Sequence, residues 1–215
     1  MPPTRPAPLR ARAASVEFDG RALVLRRHEA ELLRIPLDRG GRYRLIADHA
    51  APLLPLLAAL DAAPGIALIP ANGGLPGALP VAESMALALH FNGDLLESDL
   101  AAWDAELRAV FASCGIDVAR AAALCRARPM DLARDERWLT GFARMILQPP
   151  ELLVFDRNFL GLARRDAEAL LAHATVFQRW HPFRPCLFID LDSHELPPLP
   201  ECAASVELEA AAGVP

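Results

Sequence analysis

The chain has 215 residues, 53% of them hydrophobic, so it can bury a sizeable core as one domain or as one domain with a subdomain. Its formal net charge of −5 excludes the basic surface of proteins that bind nucleic acid or an anionic membrane directly. No apolar run approaches the ~20 residues of a transmembrane helix, and the N-terminus lacks an apolar signal segment. We therefore expect a cytoplasmic protein that inserts into no membrane itself.

The chain is expected to begin and end with loose segments around one domain. Residues 1–14 are rich in proline and arginine without periodicity, which predicts a disordered arm. Residues 15–209 form the predicted domain, and residues 210–215 form a loose tail. The domain opens with short strands separated by turns, predicted at Val16 to Phe18, Ala22 to Leu25, Leu32 to Leu37 and Arg42 to Ala47.

A helix from Leu53 to Leu60 is predicted after the fourth strand, because its leucines recur along one face and Pro52 suits a first turn. The connection before it has no glycine, and the whole chain has no lysine. A P-loop needs G-x-x-x-x-G-K-S/T, whose backbone amides and lysine hold the phosphates. Asp48 would also place a negative charge at the helix N-terminus, where anions bind. The sequence therefore predicts no phosphate-binding loop here.

The middle of the chain reads as a strand, a loop and a set of helices. Ile66 to Glu83 predicts a short apolar strand ending at Pro70, a Gly/Pro loop and a helix that opens near Glu83. Helical spacing continues from Leu95 to about Arg128, with a break at Gly115. Another helical stripe of large side chains is predicted to lie in the core: Trp138, Phe142 and Met145.

The last third carries two buried strands. Leu152 to Phe155 is an apolar run without alternation, typical of a parallel strand covered on both faces, and it ends at Asp156. An acid at the carboxyl end of such a strand lies where open α/β sheets hold their ligands. A helix from Arg164 to Trp180, a second buried strand from Pro185 to Asp190 and a last strand from Val206 to Leu208 complete the predicted α/β fold.

These elements, in this order, resemble the ATP-binding cassette of ABC transporters. The resemblance implies a P-loop-NTPase-like α/β fold with a parallel core sheet, an antiparallel β layer and an α-helical subdomain at about residues 84–148. Asp156 matches the metal-binding Walker B acid. Part of the signature helix also matches, at Leu132, Glu136, Ala143 and Arg144. The Q-loop resembles that of MCE-type (Mla-like) lipid transporters, at Asn72, Gly73, Gly74, Leu75, Val81 and Glu83.

The groups that contact phosphate or activate water in this family are replaced. Arg157 stands for the catalytic glutamate, Ala71 for the Q-loop glutamine and Ala163 for the D-loop aspartate. The signature serine and glycines are replaced by Ala133, Arg134 and Asp135. The histidine pattern after the second buried strand is replaced by Asp190, Leu191 and Asp192, with His194 three residues beyond the expected position.

The resemblance, with these losses, implies a non-catalytic cassette that docks on a membrane permease, with lipids as the transported class if the MCE-type likeness applies. The subunit would lie peripherally on the cytoplasmic side of the inner membrane. The predicted permease contact is a groove between the sheet and the helical subdomain, formed by Asn72, Gly73, Gly74, Leu75 and Glu83. Gly74→Arg and Leu75→Asp are expected to abolish docking and leave the fold intact. A second, competent cassette is a further predicted partner.

No metal or cofactor is predicted, and ATP with magnesium is not expected to bind. The histidines show no ligand spacing. The cysteines form neither a C-x-x-C pair nor a zinc pattern, so we expect free thiols at Cys114, Cys125, Cys186 and Cys202. Two alternatives remain: a divergent ATPase or phosphohydrolase that uses Asp156 with arginines such as Arg157 in place of lysine, and a soluble scaffold domain unrelated to transport.

Overall fold

The computed structural model describes residues 14–27, 30–38, 40–47, 50–91, 100–157, 164–191 and 204–208. Three layers stack on one another: an antiparallel sheet with one helix, a central parallel sheet, and a layer of helices on its other face. The strands are β1 (Ala14–Phe18), β2 (Ala22–Arg27), β3 (Ala30–Pro36), β4 (Arg42–Ala47), β5 (Ile66–Pro70), β6 (Leu152–Asp156), β7 (Cys186–Leu191) and β8 (Ala204–Leu208).

The helices are α1 (Ala50–Asp61), α2 (Val81–Phe91), α3 (Leu100–Ser113), α4 (Val118–Arg126), α5 (Arg134–Leu147) and α6 (Arg164–Trp180), with one 3-10 turn at Pro129–Asp131. The predicted elements are confirmed with small shifts of their ends. Ala14 was expected in the loose arm, but it pairs with Arg27 and belongs to β1. The helix expected near Glu83 begins at Val81, and Gly115, at φ +81°, separates α3 from α4.

The central sheet has the strand order β5-β6-β7-β4-β8, and every neighbouring pair is parallel. The small sheet has the order β1-β2-β3 and is antiparallel. All five residues of β6 are buried, as the apolar run predicted. Since the strands are parallel, the carboxyl ends of β4, β6 and β7 meet at one edge of the sheet.

Two cores lie on the two faces of the central sheet. The first joins β1 to β3 and α1 to the sheet, and the predicted leucine face of α1 is part of it, with Leu53 and Leu60 fully buried. The second joins α2 to α6 to the opposite face. The stripe predicted on α5 lies in this second core, where Trp138 stacks on Phe142 with ring centroids 5.2 Å apart.

Several predicted features lie outside the described residues. These are the arm before residue 14, the connection at Asp48 and His49, residues 92–99 at the start of the predicted helical run, and residues 158–163 after β6. Asp192, His194 and Cys202 are also outside, as is the tail after residue 208. The described helices α2 to α5 lie at residues 81–147, close to the predicted helical subdomain.

Candidate functional site at the carboxyl edge of the central sheet

Asp156 lies at the carboxyl end of β6, as predicted, and its carboxylate is held by the next residue. Arg157 donates from Nε to Asp156 Oδ1 at 2.7 Å and from Nη2 to Oδ2 at 3.1 Å. Such a two-pronged pair is the strong geometry for a guanidinium and a carboxylate. The hydrogen bond to Asp156 raises the pKa of Arg157. Asp156, which matches the family's Walker B acid, therefore already has a cation on both of its oxygens.

The backbone of Arg157 is adapted to this contact. Its φ is +48°, and it is the one non-glycine residue with positive φ among the described residues. A left-handed conformation is uncommon for a residue with a side chain, and positions that keep one are often functional. The Arg157 N–H also donates to Ile189 O of β7 at 2.8 Å. The side chain of Arg157, which stands at the position of the family's catalytic glutamate, thus folds back onto the Asp156 carboxylate.

A second acid lies in the neighbouring strand. Asp190 is 1% exposed, and its Oδ2 is 3.9 Å from Nε of Arg44 on β4. Ile46 is the β4 residue in register with Asp190, so Arg44 approaches from two positions earlier. Asp156 and Asp190 therefore each have an arginine as a close cationic neighbour.

The N-terminus of α5, which the resemblance equates with the signature segment, carries its own anion. Glu136 Oε2 accepts a hydrogen bond from the N–H of Ala133, the N-cap residue, at 3.2 Å. This is the glutamate half of a capping box. Glu136 also forms an ion pair with Arg120 of α4. The Glu136 carboxylate thus lies in the first turn of α5, where a helix N-terminus attracts negative charge.

The Q-loop-like segment after β5 packs tightly on α5. Gly73 is buried with φ +84°, and a Cβ added to it would lie 2.1 Å from Arg137 O. A Cβ added to Gly141 would lie 2.0 Å from Gly73 O. Within the loop, Asn72 Oδ1 accepts the N–H of Gly74 at 3.2 Å. The two glycines let the loop backbone lie directly on the helix backbone.

The residues predicted to contact a permease differ in their exposure. Asn72 and Glu83 are exposed, Gly73 is buried, and Leu75 is half-buried against the helical core. Two clefts flank the loop, of about 650 Å³ and 550 Å³. Ala71 lines the larger cleft and Gly74 the smaller, whereas Asn72, Gly73, Leu75 and Glu83 line neither.

The expectation that Gly74→Arg and Leu75→Asp leave the fold intact is not supported by their surroundings. Gly74 has φ +67°, and a Cβ there would lie 3.2 Å from Cδ of Pro70. A carboxylate at Leu75 would replace a side chain that packs on the core, and burying an unpaired charge is costly. Tests of docking need exposed residues whose substitution disturbs neither a positive-φ position nor the core.

Two exposed apolar side chains at the far end of this loop were not singled out from the sequence. Leu79 is 36% exposed and Met130, in the 3-10 turn, is 62% exposed. Met130 is adjacent to the loop, since a Cβ added to Gly77 would lie 3.8 Å from its Cβ and Cε. The Val81 N–H donates to Ala127 O at 2.9 Å and ties the loop to this turn. We call Gly77, Leu79 and Met130 the loop surface.

Cys114 is a free thiol, and burial raises its pKa to about 11. In the described ranges no group of three His, Cys, Asp or Glu side chains could hold a metal ion. Among the same residues, no helix combines the length and apolar character needed to cross a bilayer.

Solved structures of ABC transporter cassettes resemble the chain along most of its length. The dimeric bacterial cassette MJ0796 aligns at a TM-score of 0.61 and 9% identity, with 91% of each chain covered. An ATP binding subunit of an ABC transporter aligns at 0.61 and 19% identity, covering 85% of this chain and 81% of that one. CbiO1 from Clostridium perfringens, part of the complex cbiONQ, aligns at 0.57 and 12% identity, covering 75% and 71%.

No family model matches the sequence, and no curated protein is similar to it at a significant level. The identities to the solved cassettes are below 20%, so this likeness establishes the fold. The combination of a parallel sheet with an antiparallel sheet agrees with it. The chain therefore has the fold of an ABC transporter ATP-binding cassette.

Proposed function

We propose that the chain is a non-catalytic cassette subunit that docks on the membrane permease of an ABC transporter. The observation that carries this proposal is the pairing of Asp156 with Arg157 through both carboxylate oxygens. A magnesium ion would have to displace an adjacent guanidinium, which is always charged. The residue that would activate water is that same arginine, and an arginine cannot serve as a general base.

The second support comes from α5. In a cassette dimer, the signature segment of one subunit completes the nucleotide site of the other. Here Ala133, Arg134 and Asp135 stand in that segment, and the Glu136 carboxylate lies in the first helical turn, bound to the Ala133 N–H. The carboxylates of Asp135 and Glu136 lie in the first helical turn and would repel an incoming phosphate. The subunit is thus deficient on both sides of a composite site.

The rival function, a divergent ATPase that uses arginines, has less support from these contacts. Arg157 is the cation nearest to Asp156, and it is engaged by that acid instead of facing outward as a phosphate clamp. The proposal is tested by adding Mg-ATP at millimolar concentration and measuring the melting temperature, since a ligand that binds the native state raises it by mass action. We expect no shift. A shift that disappears in Asp156→Asn would favour the ATPase.

The loop surface is the best exposed candidate for the permease contact. Met130 and Leu79 are exposed apolar side chains next to the loop that resembles the Q-loop, and an amphipathic helix of a partner could lie across them. Leu79→Asp with Met130→Asp should abolish co-purification with the permease encoded by neighbouring genes. Val118→Asp is a matched control, because Val118 is a 66% exposed apolar residue on α4. Equal loss of co-purification in Val118→Asp and in the double variant would argue against the loop surface as the permease contact.

Two finer parts of the proposal concern partners. The MCE-type likeness of Asn72, Gly73, Gly74 and Leu75 supports a lipid transporter, with the subunit on the cytoplasmic face of the membrane. A working transporter would then need a second, competent cassette, because two copies of this chain would supply no complete nucleotide site. Intact-mass analysis of the purified complex measures this. ATP-dependent transport by a complex with this chain as its only cassette would overturn the proposal.

A further inference from the structure

The smaller cleft lies at the open edge of the central sheet. Strand β5 is an edge strand of the central sheet, since it pairs with one strand only, β6. Helix α1 forms one wall through Leu57 and Ala58, and helix α5 forms the other through Arg144 and Met145. Its volume of about 550 Å³ is within the range of pockets that hold small molecules, roughly 300–1,000 Å³.

Arg144 is the notable polar group of this cleft. Its guanidinium is half-buried, and its hydrogen bond from Nε to Gln148 Oε1 is long, at 3.4 Å. None of the described carboxylates forms an ion pair with it. Burial lowers the pKa of Arg144. A partly desolvated cation without an anionic partner is unfavourable, and an anionic ligand would relieve it.

The other lining residues limit the kind of anion. Leu57, Ile66, Leu68 and Met145 are apolar, so the ligand must carry an apolar body. Asp156 also lines the cleft, but its charge is compensated by Arg157. Asp61 adds a negative charge at the exposed end of α1. Because Arg144 is the cation that lies beside these acids, the cleft favours a ligand with one negative charge over a phosphate dianion.

We propose that this cleft is a binding site for a small carboxylate with an unbranched apolar body, in which Arg144 holds the carboxylate as a two-pronged pair. The apolar chain would lie along the edge of β5 against Leu68 and Met145. The site is separate from the loop surface, and the proposal does not depend on permease docking. Ligand binding can be measured on the isolated chain.

The test uses decanoate below its micellar concentration, with decanol as the neutral counterpart of similar length, in titration calorimetry. We expect decanoate to bind at least about tenfold more tightly than decanol, because a charge-assisted pair forms only with the acid. Arg144→Met should remove that difference, and Arg144→Lys should retain part of it. Arg126→Met on α4 is the control, because Arg126 is exposed and does not line the cleft.

A second variant keeps the test independent of the fold around Arg144. Leu68→Trp fills the cleft from the edge strand, and we expect it to abolish decanoate binding while circular dichroism stays unchanged. Equal affinity for decanoate and decanol in the unmodified chain would overturn the proposal. So would decanoate binding that persists in both Arg144→Met and Leu68→Trp. Binding of inorganic phosphate in preference to decanoate would show an oxyanion site of another kind.

Discussion

Gly73 lies directly against Gly141 of α5 and occupies the space that a Cβ on Gly141 would need, while the Arg137 backbone of the same helix occupies the space of a Cβ on Gly73. The added Cβ of Gly141 would be 2.0 Å from Gly73 O, and that of Gly73 would be 2.7 Å from Arg137 C and 2.1 Å from Arg137 O. Glycine in a helix interior normally weakens the helix, so its presence in α5 needs a packing reason. The contact joins the loop after β5 to α5 as one unit.

Gly141→Ala should therefore destabilise the protein strongly. The new methyl group meets backbone atoms that cannot rotate away, and overpacking of this kind costs about 3 kcal/mol or more. Chemical denaturation measures the change in unfolding free energy. Gly77→Ala is the matched control, since its Cβ would make ordinary contacts at 3.8 Å, and we expect an effect within about 1 kcal/mol. Similar stabilities for the two variants would contradict the close contact.

Arg157→Gly should expose the Asp156 carboxylate. Glycine accepts the positive φ without strain and removes the guanidinium. We expect Mn²⁺, followed by electron paramagnetic resonance, to bind to this variant in the millimolar range and not to the unmodified chain. The double variant with Asp156→Asn should lose the new site. Mn²⁺ bound to the unmodified chain and released by Asp156→Asn would show that Arg157 does not block the acid.

Glu136→Ala should lower the stability by roughly 1 kcal/mol, because it removes a cap on the Ala133 N–H and the partner of Arg120. Asp135→Ala is the comparison variant. Asp135 lies in the same helical turn as Glu136, but its contribution to stability comes from its charge near the positive end of the helix dipole. Its expected cost is smaller. Equal losses in thermal denaturation would mean that the cap and the ion pair contribute nothing specific.

Acid should weaken the fold through His173. Burial lowers the pKa of His173, whose ring packs edge-on against Trp138 and Phe142. Because the unfolded chain binds a proton more readily, this contribution to stability is present above the unfolded pKa of about 6.5 and is lost as the pH falls towards the folded value. His173→Gln should flatten the fall in unfolding free energy between pH 7 and 5.5. An unchanged dependence of unfolding free energy on pH in His173→Gln would contradict the role of His173. His181→Gln is the comparison variant, because burial also lowers the pKa of His181.

The sequence predicted the elements whose pattern is local. The apolar runs of β6 and β7 are buried on both faces, and the leucine face of α1 packs on the sheet, because period and burial follow directly from spacing. The replacement of the family's phosphate-contacting residues stays a prediction from residue identity. What could not be predicted depends on contacts between distant segments, such as Gly73 with Gly141 or Arg120 with Glu136.

The site itself illustrates the same limit. The sequence placed Arg157 beside Asp156, but the positive φ that turns the guanidinium onto the carboxylate comes from the packed chain. The permease contact at Asn72 to Glu83 stays a prediction, and the sequence does not show which of these residues are buried, such as Gly73, and which are exposed. Met130 and Leu79 went unnoticed because exposure of single apolar residues has no signal in the sequence.

We propose that this cassette fold does not hydrolyse ATP, because Arg157 pairs with both oxygens of Asp156 and the Glu136 carboxylate lies in the first turn of α5. Steady-state phosphate release from Mg-ATP tests it most directly, with the purified chain and Asp156→Ala measured side by side. We predict equal rates that match the background without protein. A rate in the unmodified chain that exceeds both the background and Asp156→Ala would contradict the account.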